Sequence, residues 1–158
     1  MTKRYLLTVL LLSFAAVFPS CKTQNRVTDS KIVFDQPLSN PANPVVRIET
    51  SMGDIYVELY MKQAPRSASN FLGLSLGEKE FLDVKTGKKT VRRFYDNLLF
   101  YRIKKHVYIQ SGCPMNNGFG GPGYALKDER HPSLFHQAGS VGYVFHGPDR
   151  NGSQFYIL

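Results

Sequence analysis

Residues 94–112 read FYDNLLFYRIKKHVYIQSG, and they have the pattern of a β-hairpin. Two apolar and aromatic runs, at 98–103 and 107–111, flank a short basic break. Runs of this length that are rich in aromatic and β-branched residues, with a polar break between them, are typical of paired antiparallel strands. We therefore expect the rest of the chain to be arranged around this hairpin.

One polar residue ends an apolar face of the first predicted strand. Side chains alternate along a strand, so Phe100 and Arg102 are predicted to share one face. A register that pairs Arg102 with Gln110 would make the guanidinium and the carboxamide cross-strand neighbours, within hydrogen-bonding reach. A slip of one residue would move Gln110 to the opposite face. The hairpin alone leaves a second interpretation open, in which Arg102 is a solvated residue near a strand end.

The first part of the chain is typical of an export signal. Lys3 and Arg4 precede an uncharged apolar run at 5–18. This run matches the hydrophobic region of a signal peptide and is shorter than the roughly 20 residues of a membrane-spanning helix. Cys21 follows directly and resembles the lipidated cysteine of a bacterial lipoprotein. We predict a signal peptide over 1–20 and a lipid anchor on Cys21. The alternative is cleavage nearby, which would leave Cys21 as a free thiol.

The composition is that of one ordinary globular domain. The chain is 42% apolar and 20% charged, and its two cysteines exclude a disulfide framework. The formal charge of +8 falls to +6 in the mature chain, because the leader holds two basic and no acidic residues. The basic run at 85–93, KTGKKTVRR, has no interleaved aromatics. We expect it to be a solvated loop, able to touch an anionic membrane surface, and we expect no nucleic-acid partner.

A linker, a hairpin and a helix are predicted in the first half of the chain. Residues 21–44 are rich in Thr, Asn, Ser, Asp and Pro and are predicted to be a flexible linker. Residues 45–60 alternate apolar and polar side chains around turn residues at 51–54, which indicates a second hairpin. A helix is expected to begin at Pro65 and to end near Gly77. Its apolar residues at helical spacing are Ala68, Phe71, Leu72 and Leu76.

Loops and two short strands are predicted after the helix. Residues 78–93 are polar and Lys-rich and are expected on the surface. Residues 112–123 hold five Gly and two Pro and are predicted to be a loop, and without a GK[ST] ending they do not form a phosphate cradle. A further loop is predicted at 128–136, and strands at 140–145 and 153–158. Strands, one helix and more strands favour an antiparallel, mainly β fold with a helix laid over the sheet.

Five short motifs carry a resemblance to a known family. They are APRSASNF at 64–71, FYDNLLFYRI at 94–103, IQSGCP at 109–114, GFGGPGY at 118–124 and GPDRNGSQFYI at 147–157. In this order and spacing they resemble the cyclophilin-type peptidyl-prolyl cis-trans isomerases. The resemblance covers about 45–158.

The resemblance implies a fold and a reaction. The family fold is an antiparallel β-barrel with capping helices, so we expect a mainly β, cyclophilin-like barrel with a capping helix over 45–158. The substrate is the peptide bond that precedes proline, whose rotation has a barrier of about 18–20 kcal/mol because it breaks amide resonance. We expect no cofactor and no metal, and the histidines show no metal-ligand spacing. The family continues beyond the strand in which this chain stops, so the barrel is expected to be partial, incomplete at its C-terminus.

The resemblance also implies roles for particular residues. Arg102 would be the catalytic donor to the prolyl nitrogen and Gln110 its brace. An arginine suits this role because it is always charged and offers several planar donors. Gln154 is expected to bind the peptide backbone, and Tyr156 to form the floor of the proline pocket. The predicted substrate-binding residues are Phe100, Tyr101, Val107, Tyr108, Val144, Phe145, Gln154 and Tyr156.

The predicted site departs from the family pattern in three places. Tyr101 replaces the usual His, and Val107 and Tyr108 replace Phe and Met. Val144 and Phe145 replace a small residue and an Asn, and Phe145 would crowd the groove. These departures motivate the alternative of a non-catalytic module that binds proline-containing peptides.

The sequence therefore predicts a lipid-anchored prolyl isomerase of the bacterial cell envelope, at the periplasmic face of the membrane, or secreted if the anchor is absent. Its partners would be proline-containing peptides and unfolded exported proteins, and it is expected to be monomeric. The alternatives are the non-catalytic module of the same fold and an inactive fragment. A hydrolase interpretation of Ser153, Cys113 and His131 is rejected, because no nucleophile-elbow sequence surrounds them.

Overall fold

The computed structural model describes residues 38–158. The predicted signal peptide, Cys21 and most of the predicted linker lie outside this range and remain predictions. The elements are β1 (Val45–Thr50), β2 (Gly53–Glu58), α1 (Pro65–Leu76), β3 (Glu80–Asp83), β4 (Lys88–Val91), β5 (Arg102–Lys104), β6 (Tyr108–Ser111), β7 (Val141–Tyr143) and β8 (Phe155–Ile157). No helix within 38–158 is long and apolar enough to cross a membrane.

The eight strands of the described range pair antiparallel in three sheets. β1 pairs with β2, β3 pairs with β4, and the other four strands lie in the order β5-β6-β8-β7. A single helix accompanies them in this range. The predicted mainly β, antiparallel fold with one helix is therefore confirmed, and the Gly-rich stretch at 112–123 is a loop, as predicted.

The hairpin of β1 and β2 forms where the alternating pattern predicted it. Thr50 pairs with Gly53, so only Ser51 and Met52 form the turn. Gly53 has a φ of 121°, a backbone angle that favours glycine. The turn residues of the sequence therefore set the register of this hairpin.

Helix α1 also begins and ends as the sequence predicts. Pro65 is its first residue, and Gly77 ends it in the left-handed conformation with φ 74°. Ala68 and Phe71 are buried, as expected from the spacing, whereas Leu76 is 45% exposed. Leu74, which the spacing argument omitted, is completely buried.

The N-terminus of α1 is capped by a residue that is distant in sequence. The N-cap position is Ala64, whose side chain makes no capping hydrogen bond. Instead, the carboxylate of Glu129 accepts hydrogen bonds from the backbone N–H groups of Arg66 at 3.2 Å and Ser67 at 2.8 Å. The predicted loop at 128–136 is thereby attached to the helix.

Asn70 of α1 joins the helix to the strands of the four-stranded sheet. Its side chain is 1% exposed, and its Nδ2 donates to the hydroxyl of Tyr143 and to the carbonyl of Gly152, each at 2.9 Å. Its Oδ1 accepts from Lys79 Nζ and from the hydroxyl of Tyr124, each at 2.7 Å. A buried carboxamide with every group satisfied holds the turn before β8 in one position.

Residues 78–93 lie largely on the surface, as predicted, but they form a hairpin of β3 and β4, so β4 falls within the run 85–93 that was expected to be a loop. Phe81 is 3% exposed and packs edge to face on Phe94, with ring centroids 4.7 Å apart. Two of the basic residues are in ion pairs within the hairpin, Lys89 with Glu80 and Arg92 with Asp83. Phe81, buried within a polar stretch, therefore anchors a strand pair that the Lys-rich composition did not indicate.

The main core lies between α1 and the sheets, and aromatic rings fill it. Phe155 of β8 is 4% exposed and meets Phe71 of α1 edge to face, with ring centroids 5.2 Å apart. Val57 and Leu59 are buried in the same cluster. Edge-to-face contacts add directionality to apolar burial, so the core fixes the rotation of β8 about its own axis.

We expect Glu129→Ala to lower the free energy of unfolding by about 1–2 kcal/mol at neutral pH, as loss of a helix cap does. Burial raises the pKa of Glu129, but hydrogen bonds from Ser67 and Arg66 outweigh it and hold the pKa below the ordinary value of 4.5. The folded pKa is depressed, so the stabilisation is present above the unfolded value and is lost as the pH falls through the folded value. Urea unfolding from pH 7 downward measures this.

The matched control is Glu78→Ala, which removes an exposed carboxylate beyond the other end of the same helix. It should change the free energy of unfolding by less than about 0.5 kcal/mol. A loss in Glu129→Ala that persists undiminished at acid pH would show that the carboxylate charge does not cap the helix.

Candidate functional site

Four residues form a row across the four strands of the largest sheet. Arg102 pairs with Gln110, Gln110 pairs with Tyr156, and Tyr156 pairs with Gly142. Directly paired residues of antiparallel strands lie on the same face. The site row, as we call these four residues, therefore lies on one face of the sheet. The predicted register of Arg102 with Gln110 is confirmed.

Alternation along β8 separates the site row from the core. Phe155 is buried against α1, and Tyr156 is directed to the opposite face of the sheet. Phe100 packs edge to face with Phe155, with ring centroids 6.1 Å apart. The prediction that Phe100 shares a face with Arg102 is therefore wrong, and the structure places Phe100 beside the core rather than in the site row.

The reason is that β5 is shorter than the predicted strand and begins only at Arg102. Before it, the backbone of Leu99 bonds to side chains instead of to a strand ladder. Leu99 N–H donates to Asn116 Oδ1 at 3.2 Å, and its carbonyl accepts from Ser111 Oγ at 3.0 Å. Strict alternation does not hold where no ladder forms, so Phe100 and Arg102 are free to point to different sides.

The hydroxyl of Tyr101 joins two buried carboxamides. It donates to Gln154 Oε1 at 2.6 Å and accepts from Gln110 Nε2. Gln110 Nε2 also lies 3.4 Å from Gln154 Oε1. Gln110 and Gln154 are each 5% exposed. Buried polar groups are costly without partners, so this carboxamide network, formed by Tyr101, Gln110 and Gln154, holds both side chains in place.

Gln154 also holds the Gly-rich loop. Its Nε2 donates to the carbonyls of Gly118 and Gly120, each at 2.8 Å. A carboxamide has only two N–H donors, and both are used here. The predicted role of Gln154, binding of a peptide backbone, remains a prediction, and a peptide that bound through these two donors would have to displace the loop carbonyls.

Arg102 lies in the row without the predicted brace. Its guanidinium carbon is 5.7 Å from the ring centroid of Tyr108, and its side chain is exposed. Among the hydrogen bonds of the described residues, none joins Arg102 to Gln110: the Nε2 of Gln110 donates into the network of Tyr101 and Gln154, and the guanidinium lies over the ring of Tyr108. The predicted hydrogen bond between Arg102 and Gln110 is therefore not formed in this structure.

Tyr156 has a partner that the sequence did not indicate. Its hydroxyl lies 2.8 Å from Nδ1 of His136, and the two rings stack with centroids 6.0 Å apart. Burial raises the pKa of Tyr156, so its hydroxyl remains protonated at neutral pH. His136 lies in the predicted loop at 128–136 and belongs to no local motif that would have indicated this contact.

The other predicted site residues lie around the row. Val144 is half-buried, and its N–H donates to the carbonyl of Gln154 at 3.0 Å. Phe145 and Val107 are 63% and 44% exposed. Tyr108 is half-buried beneath the guanidinium of Arg102. The side chain of Phe145 is directed largely to solvent, and the expectation that it crowds the groove remains a prediction.

Cys113 is a free, fully buried thiol in the part of the chain that the structure describes. Its Sγ accepts from the N–H groups of Gly118 and Gly120, each at 3.3 Å. Burial raises the pKa of Cys113, but the backbone N–H groups around the sulfur outweigh it and lower the pKa. Cys113 and Gln154 thus hold the same loop from two sides. Within 38–158, no cluster of side chains has the composition of a metal site.

Comparison with known proteins connects this geometry to one family. The family model described as "Cyclophilin type peptidyl-prolyl cis-trans isomerase/CLD" matches residues 45–158. Peptidyl-prolyl cis-trans isomerase B of Streptomyces anulatus is 40% identical over 111 residues, which are 70% of this chain and 63% of that protein. The probable peptidyl-prolyl cis-trans isomerase A of Mycobacterium bovis is 36% identical over 132 residues, which are 83% of this chain and 71% of that protein.

Solved structures agree with the sequence comparison. A cyclophilin type peptidyl-prolyl cis-trans isomerase of Cryptosporidium parvum has a TM-score of 0.58 at 34% identity, over 73% of this chain and 66% of that one. A second crystal structure of it, in the presence of the dipeptide Ala-Pro, has a TM-score of 0.57 at 33% identity, over 72% of this chain and 66% of that one. The chain thus spans about two thirds of the length of the relatives it matches.

We expect Gly142→Ala to lower the free energy of unfolding by about 1–3 kcal/mol, the usual effect of overpacking. A Cβ at this position would lie 2.6 Å from the hydroxyl oxygen and 2.8 Å from the Cζ of Tyr156. Combining the change with Tyr156→Phe should recover part of the loss, because the nearer of the two contacts is then removed. Urea unfolding measures Gly142→Ala, Tyr156→Phe and the double variant.

Gly121→Ala is the matched control for this prediction. Gly121 also lacks a positive φ, and a Cβ there would meet no atom within 4 Å. If both alanine variants unfold at the same urea concentration as the wild type, Tyr156 does not lie across Gly142.

Proposed function

The chain belongs to the family of cyclophilin-type peptidyl-prolyl cis-trans isomerases, and we propose that it accelerates the rotation of Xaa-Pro peptide bonds. The site row carries this proposal. It brings a permanently charged donor, Arg102, into register with Tyr156, an aromatic side chain on the same face of one rigid sheet. This arrangement suits a reaction that needs only binding and polarisation, with no nucleophile and no proton transfer.

The chemistry follows from amide resonance. The barrier to rotation, about 18–20 kcal/mol, is high because the nitrogen lone pair is delocalised into the carbonyl. A donor that engages the prolyl nitrogen as it becomes pyramidal localises that lone pair and weakens the resonance. Arg102 would supply the donor, and the ring of Tyr156 would support the proline. Fixed donors aimed at the twisted state lower the barrier more than they stabilise the planar substrate.

The substrate class is proline-containing peptides. A relative of this chain was crystallised in the presence of Ala-Pro, a dipeptide with one Xaa-Pro bond. The half-buried surface of Tyr156 and the exposed side chains of Val107 and Phe145 offer apolar contacts around the row. We propose that unfolded exported proteins are the physiological substrates.

A second candidate function is a proline-peptide-binding module without catalysis. Two observations favour it: the guanidinium of Arg102 lacks its brace, and both N–H donors of Gln154 are committed to glycine carbonyls. In this alternative, the same face would bind peptides and leave the rate of rotation unchanged.

Arg102→Ala is expected to lower kcat/KM for proline isomerisation by about 100-fold, the usual effect of removing one fixed donor from a transition state. Arg102→Lys should recover only part of the rate, because an ammonium lacks the planar fork of donors. A protease-coupled assay with an Ala-Pro peptide measures both variants. Peptide binding is measured in parallel by titration calorimetry.

Arg47→Ala is the control, since Arg47 is another exposed arginine and pairs with Glu49 and Asp54 on the hairpin of β1 and β2. It should leave the rate unchanged. Peptide binding without acceleration by the wild type would select the module, and equal rates for the wild type and Arg102→Ala would overturn the isomerase mechanism.

We further propose that the protein is a monomeric lipoprotein at the periplasmic face of a bacterial membrane. The proposal is supported by the two basic residues and the apolar run that precede Cys21, and by a linker rich in small polar residues up to residue 44. A linker of this length would hold the domain away from the bilayer. The tip of the basic hairpin, where Lys85 and Lys88 are exposed, would favour an anionic surface.

Cys21→Ser is expected to abolish incorporation of a labelled fatty acid and to move the full-length protein from the membrane fraction to the soluble fraction. One acyl chain alone binds a membrane only weakly and reversibly, whereas two or more anchor it stably. Cys113→Ser serves as the control and should keep the label and the membrane fraction. Labelling that survives Cys21→Ser would exclude this cysteine as the anchor.

A further inference from the structure

Tyr101 occupies a position from which it can set the orientation of a neighbouring side chain. Its hydroxyl is the only group in the described residues that bonds to both Gln110 and Gln154. A hydroxyl can donate one hydrogen bond and accept others. Here it donates to the oxygen of Gln154 and accepts from the nitrogen of Gln110, so each carboxamide presents a different end to it.

This arrangement fixes which end of Gln110 faces inward. The NH2 end of its carboxamide is directed into the network, where Nε2 donates to Tyr101 and lies 3.4 Å from Gln154 Oε1. The two ends of a planar carboxamide point in different directions, so Oε1 is directed out of the network. No hydrogen bond to Gln110 Oε1 is present among the described residues. Within 38–158, Gln63 Oε1 is the only side-chain polar atom that is buried without a partner. Gln110 Oε1 is therefore not fully buried, and solvent can contact it.

Arg102, which needs an acceptor, lies on the same face of the sheet as Gln110. Arg102 pairs with Gln110 across the strands, and the Cβ atoms of such pairs lie about 4.5–5.5 Å apart. A guanidinium has only donors, so it can bond to Oε1 of Gln110 but not to the NH2 end. The guanidinium now lies over the ring of Tyr108, and we expect it to turn to this oxygen when a substrate is bound.

We infer that Tyr101 is a positioning residue for the isomerase reaction: its hydroxyl holds the NH2 end of Gln110 inward and so presents Oε1 to Arg102. Without the hydroxyl, the carboxamide can turn over and place its own N–H groups opposite the guanidinium. Donor would then face donor, and Arg102 would lose its orientation. The inference rests on the proposed function, because Tyr101 acts only through Gln110 and Arg102.

Tyr101→Phe tests this inference because it removes only the hydroxyl. We expect kcat/KM for an Ala-Pro peptide to fall about tenfold, within the range of coupling between contacting residues. The fall should lie in kcat rather than KM. Gln110→Ala should cause a loss of the same size, and the double variant should lose no more than Gln110→Ala alone. If Tyr101 had only a structural role, independent of Gln110, the loss of kcat/KM in the double variant would be the product of the two single losses.

A second readout does not depend on activity. In the wild type, the side-chain amide protons of Gln110, assigned by their absence in Gln110→Ala, should give two well-separated NMR signals. In Tyr101→Phe the chemical-shift difference between these two signals should become smaller. Tyr60→Phe is the matched control, because it removes the hydroxyl of a tyrosine outside the site and should change neither the rate nor the signals.

The outcomes separate the inference from the function on which it rests. If Arg102→Ala is as active as the wild type, the proposed function fails. If Arg102→Ala is inactive while Tyr101→Phe keeps the wild-type rate, the inference alone is overturned. Multiplicative losses in the double variant, or unchanged Gln110 signals in Tyr101→Phe, would also overturn it.

Discussion

The alternation of side chains along β8 is the constraint on which the rest of the structure depends. β8 lies between β6 and β7, so both neighbours take their register from it. Phe155 is directed into the aromatic core beneath α1, and this leaves Gln154 and Tyr156 on the other face. A shift of the register of β8 by one residue would direct Tyr156 into the core and Phe155 to the opposite face. Core packing and site geometry are therefore two consequences of the same strand.

The polar side of the sheet is stabilised by matching donors and acceptors rather than by charge. Gln110 and Gln154 are almost completely buried, and a buried carboxamide must have its hydrogen bonds supplied by the protein. Tyr101 supplies them on one side, and the carbonyls of Gly118 and Gly120 on the other. Arg102 alone remains exposed, so the one charged residue of the row is also the one that is free to move.

Hydrogen bonds between residues distant in sequence position the loops, which have no helix or strand pattern in their sequence. Glu129 attaches a loop to the start of α1, and Asn70 attaches α1 to the turn before β8. His136, at the other end of the same loop, contacts the hydroxyl of Tyr156. Side-chain hydrogen bonds fix the positions of these loops, because the loops have no strand ladder or helix to satisfy their backbone groups.

The sequence by itself determined the features that depend on neighbouring residues: the two hairpins, the ends of α1, the register of Arg102 with Gln110 and the family. Turn chemistry, helix caps and alternation act over a few residues, and for this reason they could be predicted. Only the tertiary structure decided that Phe100 packs against the core, that 78–93 forms strands, that Gln110 bonds to Tyr101 and that Arg102 lies over the ring of Tyr108. Each of these depends on side-chain contacts that strand alternation and turn chemistry do not encode, since a buried ring or carboxamide takes the neighbour that the folded chain brings within reach.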